Sequence, residues 1–412
     1  MGATGGVNRG IQRIARALAA LTAAAVAIPA GAAPNQRLDY LGFLQQGDDG
    51  LIGLDAAYSS IVSADGKFLY ATATAFNWVS VYAIDPATRL VSQIQKIKAN
   101  RDDDPVGEEA FTAPIDGLLS PDGKFLYVPA YIGQTLFVYS RDETTGLITE
   151  VQQGRSPAVG QVGYLSQTSD GLFMFAPGYD TNTISTLSRN PVTGFLGIVE
   201  TVNQGGVPVA DALNTPAFCA VSPDQKFLYV ANDLGNSVSW FSIDPTTRLL
   251  TYQGVVRDGD PGVNNLRDAR WIAISEDSRF LYVTGLLDNA INVFERNTTT
   301  GALAIRQSIR DDVRLEAARC TILSPDNSIL MVNGYFGNTT IQFHRDAGTG
   351  LLSEVAAYQN DYQPGALGLV ETRDISFSPD GTHVYFASWG NMGIGTYKLN
   401  SYLVSTDTWR LY

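Results

Sequence analysis

From residue 36 onward, short apolar runs alternate with polar turns. One stretch shows the plan. Phe218 to Val221 is apolar, Ser222-Pro-Asp-Gln makes a turn, and Phe227 to Ala231 is rich in β-formers. A loop of Gly, Asn and Asp follows, then an alternating run from Ser237 to Ile243. The turn Asp244-Pro-Thr-Thr-Arg leads into a last run from Leu249 to Gly254. Runs this short, with period-two alternation and turn residues between them, predict strands rather than helices. The stretch holds four antiparallel strands, A to D.

The plan repeats. Copies of one phrase start at Ser63 (SADGKFLYA), Ser120 (SPDGKFLYV), Thr168 (TSDGLFMFA), Ser222 (SPDQKFLYV), Ser275 (SEDSRFLYV), Ser324 (SPDNSILMV) and Ser378 (SPDGTHVYF). Four strands in about 50 residues is the size of a propeller blade. Seven copies therefore predict an all-β, seven-bladed β-propeller with four-stranded blades. The seventh copy has a third strand near Ile394 to Leu399 but no evident fourth. Leu38 to Gly47 resembles the fourth strands Leu147 to Gly154 and Leu351 to Tyr358. The N-terminal strand is thus expected to close the last blade and shield its edge. The propeller is assigned to 36–400 and a C-terminal tail to 401–412.

Residues 1–32 read differently. Arg9, Arg13 and Arg16 precede an Ala-rich apolar run from Ala17 to Ile28, and Ala30-Gly31-Ala32 is a small-x-small cleavage pattern. This reads as a signal peptide of a secreted or periplasmic protein. No membrane span is expected in the mature chain. The net charge is −13, and losing the leader arginines makes it more negative. Such an acidic surface argues against nucleic-acid partners. A monomer is expected. Cys219 and Cys320 fall in blades 4 and 6, too far apart to bridge, and are expected to be free buried thiols.

Candidate chemistry lies on the face carrying the B–C loops and the crossings from strand D to the next strand A. The residue five before each motif start is Tyr58, Ile115, Gly163, Ala217, Arg270, Arg319 and Arg373. Arginine at one register in blades 5, 6 and 7 should converge on one side of the channel mouth. Guanidinium groups there suit a small carboxylated or otherwise anionic molecule. The competing expectation pairs each arginine with an acid such as Glu316, Glu371 or Asp374. The B–C loops of blades 3, 4 and 5 carry Asp180, Asp233 and Asp288, as candidate general bases or as ordinary loop aspartates. Acidic crossings, densest at Asp102, Asp103, Asp104, Glu108 and Glu109, offer oxygen ligands for Ca²⁺ but match no EF-hand spacing, and solvated turns that repeat with the blade are the other reading. His344 and His383 are the two histidines, and neither is expected at the mouth. No metal site or cofactor is called for.

The phrase Ser-Pro-Asp-Gly-Lys-Phe-Leu-Tyr-Val, with Tyr229-Val-Ala-Asn-Asp-Leu-Gly-Asn-Ser-Val-Ser-Trp-Phe241 in blade 4, resembles the lactonase-type seven-bladed propellers. These include 6-phosphogluconolactonase and the fungal carboxymuconate-lactonizing enzymes. Gly47 to Ser59 is similar to exported bacterial members. The resemblance implies opening or closing of a lactone on an anionic sugar acid or diacid. It implies acidic, arginine and histidine residues at the channel mouth. Asp233 corresponds to the family's acidic residue after strand B of blade 4, and Arg270, Arg319 and Arg373 keep the mouth arginine-rich. The chain departs at Pro216-Ala217-Phe218 and Val162-Gly163-Tyr164, where the family carries histidine. The expectation is a lactonase-like hydrolase with Asp233 as acid/base and the arginines, with Tyr58, Asp180 and Asp288, binding substrate. The alternative is a non-catalytic secreted propeller that binds a ligand, a surface polymer or a protein, which the missing histidines favour.

Overall fold

The structure, a computed structural model, describes residues 35–99, 112–155, 159–206, 212–360 and 368–402. The leader, the acidic cluster of 102–109 and residues 403–412 of the tail lie outside the described residues.

Seven four-stranded antiparallel sheets form the blades. In blade 4 the strands are Pro216–Val221, Phe227–Asn232, Ser237–Ile243 and Leu250–Arg257, ordered A to D across the sheet. Blade 7 has strands A to C from Thr372–Phe377, His383–Ser388 and Gly393–Tyr402, and its outer strand is Asn35–Gln45. The first strand of the ring thus closes the last blade, as the matching runs at both ends predict. Strand C of that blade runs on to Tyr402.

Burial follows position in the blade. Strand B is buried along its whole length in blade 4, whereas strand D alternates toward solvent. Neighbouring blades are then latched through the repeated motif. Arg189 ends strand C of blade 3, Thr183–Arg189. It donates through Nε to the Tyr127 hydroxyl of blade 2 and through Nη2 to Asp122, the motif aspartate of that blade, both at 2.7 Å. The Tyr127 hydroxyl donates in turn to the Gly194 carbonyl at 3.0 Å. Gly194 has φ +76°, and a Cβ there would lie 2.3 Å from the Phe125 ring, so the turn takes glycine for both reasons. The same three-part contact joins Arg141 to Tyr70 and Asp65, Arg296 to Tyr229 and Asp224, and Arg345 to Tyr282 and Asp277. Each motif aspartate also accepts from its own Ser or Thr hydroxyl, as Asp224 does from Ser222 at 2.6 Å. The repeated aspartates are therefore structural.

Strand A carries a bulge in every blade. Pairing with strand B skips one residue at Tyr58, Ala217 and Arg373, and two residues oppose one at Arg270-Trp271 and Arg319-Cys320. In blades 2 and 3 the extra residue falls between the bridges Pro114↔Ala130 and Val162↔Gly178 and the two-residue strands that follow. The residue two before the register has a left-handed backbone in six blades, at Ala56, Ala113, Thr215, Asp268, Ala317 and Glu371. A bulge bends the strand and breaks the strict alternation of side chains. That break sets up the site.

Candidate functional site

Because of the bulges, two successive positions of strand A face the axis. The first is the register read from the sequence. Tyr58, Ile115, Gly163, Ala217, Arg270, Arg319 and Arg373, one from each blade, line a single cavity of about 360 Å³. The second position follows directly, and from it Tyr164 also lines the cavity. Tyr164, Phe218 and Trp271, from blades 3, 4 and 5, pack with centroids 4.5 to 5.3 Å apart. The cluster joins three consecutive blades, with Tyr164 and Trp271 meeting past the blade between them. In blade 7 the second position is polar. The Asp374 carboxylate accepts from the Ser60 N–H at 2.9 Å and from the Cys320 thiol at 3.5 Å. Burial pushes Asp374 up to about 6, and burial with the nearby Asp374 charge pushes Asp116 well above the carboxylate range.

The walls come from the first residue after strand B. Thr74, Tyr131, Tyr179 and Trp389 occupy that place in blades 1, 2, 3 and 7 and line the cavity. Asp233 and Tyr335 occupy it in blades 4 and 6. Repetition of Tyr at this place in three blades is a signal in the sequence that the motif alignment passed over.

The three arginines differ in partners. Arg270 Nη2 lies 3.0 Å from Asp233 and 3.1 Å from Asp268. Asp233 is 6% exposed and sits behind the wall, accepting a 2.5 Å hydrogen bond from the Tyr179 hydroxyl. Burial, together with the Asp233 charge, pushes Tyr179 up to about 12. Burial outweighs Arg270 and raises Asp268 to about 6, with Asp233 adding to the rise.

Arg319 and Arg373 form no ion pair among the described residues. Arg319 donates to the hydroxyls of Tyr58 and Tyr164. Arg373 donates to the Tyr335 hydroxyl at 2.7 Å and lies 4.0 Å above that ring. The Nε of each of the three arginines is buried with no hydrogen-bond partner. Such N–H groups are costly to leave unmade. The competing expectation, an acid for each arginine, holds for Arg270, which pairs with Asp268 and Asp233, and not for Arg319 or Arg373 among the described residues.

The structure therefore gathers Tyr58, Arg270, Arg319 and Arg373 around one cavity, with Asp233 one hydrogen bond behind it. Asp180 and Asp288 lie elsewhere in their loops. Asp180 accepts from Gln134 and from the Gln161 N–H. Asp288 accepts from the Arg267 N–H and Nε, both at 2.8 Å. His344 and His383 do not line the cavity, and both cysteines are free and buried. No helix of the described residues is long and apolar enough to cross a membrane.

A family profile described as a lactonase, seven-bladed β-propeller, matches residues 60–212 and 212–368. No curated protein matches the sequence. Among solved structures, a provisionally assigned 6-phosphogluconolactonase from Bacteroides uniformis is 20% identical, with TM-score 0.60 over 73% of this chain and 87% of its own. The periplasmic gluconolactonase of Pseudomonas aeruginosa is 18% identical, with TM-score 0.59 over 76% and 90%. The Cps50 (Swd1) propeller domain of Myceliophteria thermophila reaches TM-score 0.62 at 13% identity, over 88% and 100%. Likeness at these identities concerns the fold alone, so the profile match carries the assignment: the chain belongs to the lactonase family of seven-bladed β-propellers.

Proposed function

We propose that the protein is a lactonase-like hydrolase that opens a small carboxylated or sugar-acid lactone in the arginine-lined cavity. The observation that carries this reading is the pair Arg319, buried, and Arg373, half-buried, at the cavity without a carboxylate partner among the described residues. An anionic group of the substrate would supply the missing partner, and guanidinium N–H groups would hold the oxyanion that forms when water adds to the lactone carbonyl.

Hydrolysis adds water to the carbonyl carbon and breaks the bond to the ring oxygen. One proton leaves the water and one arrives on the ring oxygen. Asp233 serves this exchange through Tyr179, whose hydroxyl it orients and whose proton it can share. Arg270 holds the Asp233 carboxylate in place. Residues Arg9 to Ala32 support export, with the reaction outside the cytoplasm; N-terminal sequencing of the mature protein tests this. The alternative, a propeller that binds an anionic ligand without turnover, draws support from a cavity lining that holds neither His344 nor His383.

The test is turnover on a panel of carboxylated lactones by the wild type and by Asp233→Asn. Ring opening that drops at least about 100-fold in the variant supports the reading. No ring opening, or equal rates, overturns it.

A further inference from the structure

Tyr58 occupies the first bulge of the ring, and its hydroxyl is where the unpaired positive charge of the cavity meets. Arg319 of blade 6 donates to that hydroxyl. The guanidinium carbons of Arg319 and Arg373 lie 5.3 and 5.0 Å from the centre of its ring. Tyr164, from blade 3, stands beside it and shares the Arg319 Nη2. Arg270, from blade 5, and Tyr131, from blade 2, face the same cavity. The acids near Tyr58 have partners of their own, and the Asp374 carboxylate accepts from the Ser60 N–H and the Cys320 thiol. Asp233 and Asp268 answer Arg270, and burial with the nearby Asp374 charge pushes Asp116 well above the ordinary carboxylate range.

We propose that Tyr58 is the general base of the hydrolysis: Arg319, which donates to its hydroxyl, and Arg373, which lies over its ring, favour the phenolate that takes a proton from the attacking water. This inference rests on the lactone reaction proposed above. Burial alone works to raise the Tyr58 pKa, yet Arg319 and Arg373 outweigh it and hold the phenol below its ordinary value of 10.0. Tyr179 is pushed the other way, so the two phenols divide the proton work, as groups driven apart by their surroundings do.

The steps balance. The Tyr58 oxygen accepts a proton from water as the water oxygen bonds to the carbonyl carbon. The carbonyl electrons pass to the oxyanion, held by guanidinium N–H groups. The oxyanion collapses, the bond to the ring oxygen breaks, and Tyr179 gives its proton to that oxygen. Tyr58 then loses its proton and Tyr179 regains one from solvent. The net change is lactone plus water to hydroxy acid.

The experiment reads two signals. In a titration of the tyrosinate ultraviolet band, the wild type should show one tyrosine ionising before the others, and Tyr58→Phe should lack that step. Turnover of a carboxylated lactone should fall at least about 100-fold in Tyr58→Phe. Arg373→Gln should move both the early step and the low-pH limb of the turnover profile to higher pH, which loss of packing alone would not do. Superimposable titrations of wild type and Tyr58→Phe overturn the inference, as does a Tyr58→Phe enzyme with wild-type turnover. An early step that is present while no lactone is opened sinks the hydrolase reading instead and leaves the ionised Tyr58 standing.

Discussion

Tyr179 of blade 3 donates a 2.5 Å hydrogen bond to Asp233, the residue at the same place in blade 4. The two positions follow strand B directly, so the repeat sets them side by side. One faces the cavity and the other sits behind it. Their effects should be coupled. Tyr179→Phe and Asp233→Asn should each lower kcat, and the double variant should fall little further than the worse single one. Steady-state kinetics on all three variants reads this cycle. Independent, multiplying losses would show that Asp233 does not act through Tyr179.

The interblade latch makes a stability prediction. Arg296 is buried, and it holds both Tyr229 and Asp224 of the preceding blade. Arg296→Met fills a similar volume but leaves both partners unanswered. The expected loss is about 3 kcal/mol, in the range for breaking a buried pair. Urea unfolding measures it, and a change below about 1 kcal/mol would contradict the latch.

Asp374 predicts a pH effect. Its pKa rises from 3.8 to about 6, chiefly because it is buried. An acid raised in the folded state binds its proton more tightly there than when unfolded. Its contribution to stability is therefore present below about pH 4 and lost as pH rises through about 6. Asp374→Asn keeps an acceptor for the Ser60 N–H and removes the titration. Between pH 4 and pH 8 the wild type should lose on the order of 3 kcal/mol relative to the variant. Parallel stability curves would contradict this.

Ring closure can be cut. The strand Asn35–Gln45 covers the outer edge of Gly393–Tyr402, and its Leu38 N–H donates to the Tyr358 hydroxyl of blade 6 at 2.8 Å. A chain lacking residues up to Gln45 exposes an unpaired strand and should self-associate. Light scattering of a monodisperse, stable truncated protein would count against closure by this strand.

The fold was legible because the motif recurs with little drift. Counting back five residues found the cavity register in all seven blades without knowledge of the bulge that turns it inward. The bulge hid the next position. Period-two alternation sends Tyr164 away from the axis, yet it lines the cavity. The loop aspartates show a second limit. Asp233, Asp180 and Asp288 stand first, second and third in their B–C loops, and one residue of offset separates a cavity wall from a brace on backbone N–H groups. Tyr131, Tyr179 and Tyr335 were open to the same alignment, since they share the place of Asp233.

The arginine cavity as an anionic-lactone site is tested most directly by substrate choice. Wild type and Arg373→Ala are to be compared on a carboxylated lactone and on its neutral ester, reading kcat/KM for each. The account predicts that wild type favours the carboxylated lactone by about 10-fold or more, roughly the worth of one charge-assisted contact, and that the preference collapses in the variant. An unchanged preference in Arg373→Ala, or none in the wild type, would contradict it.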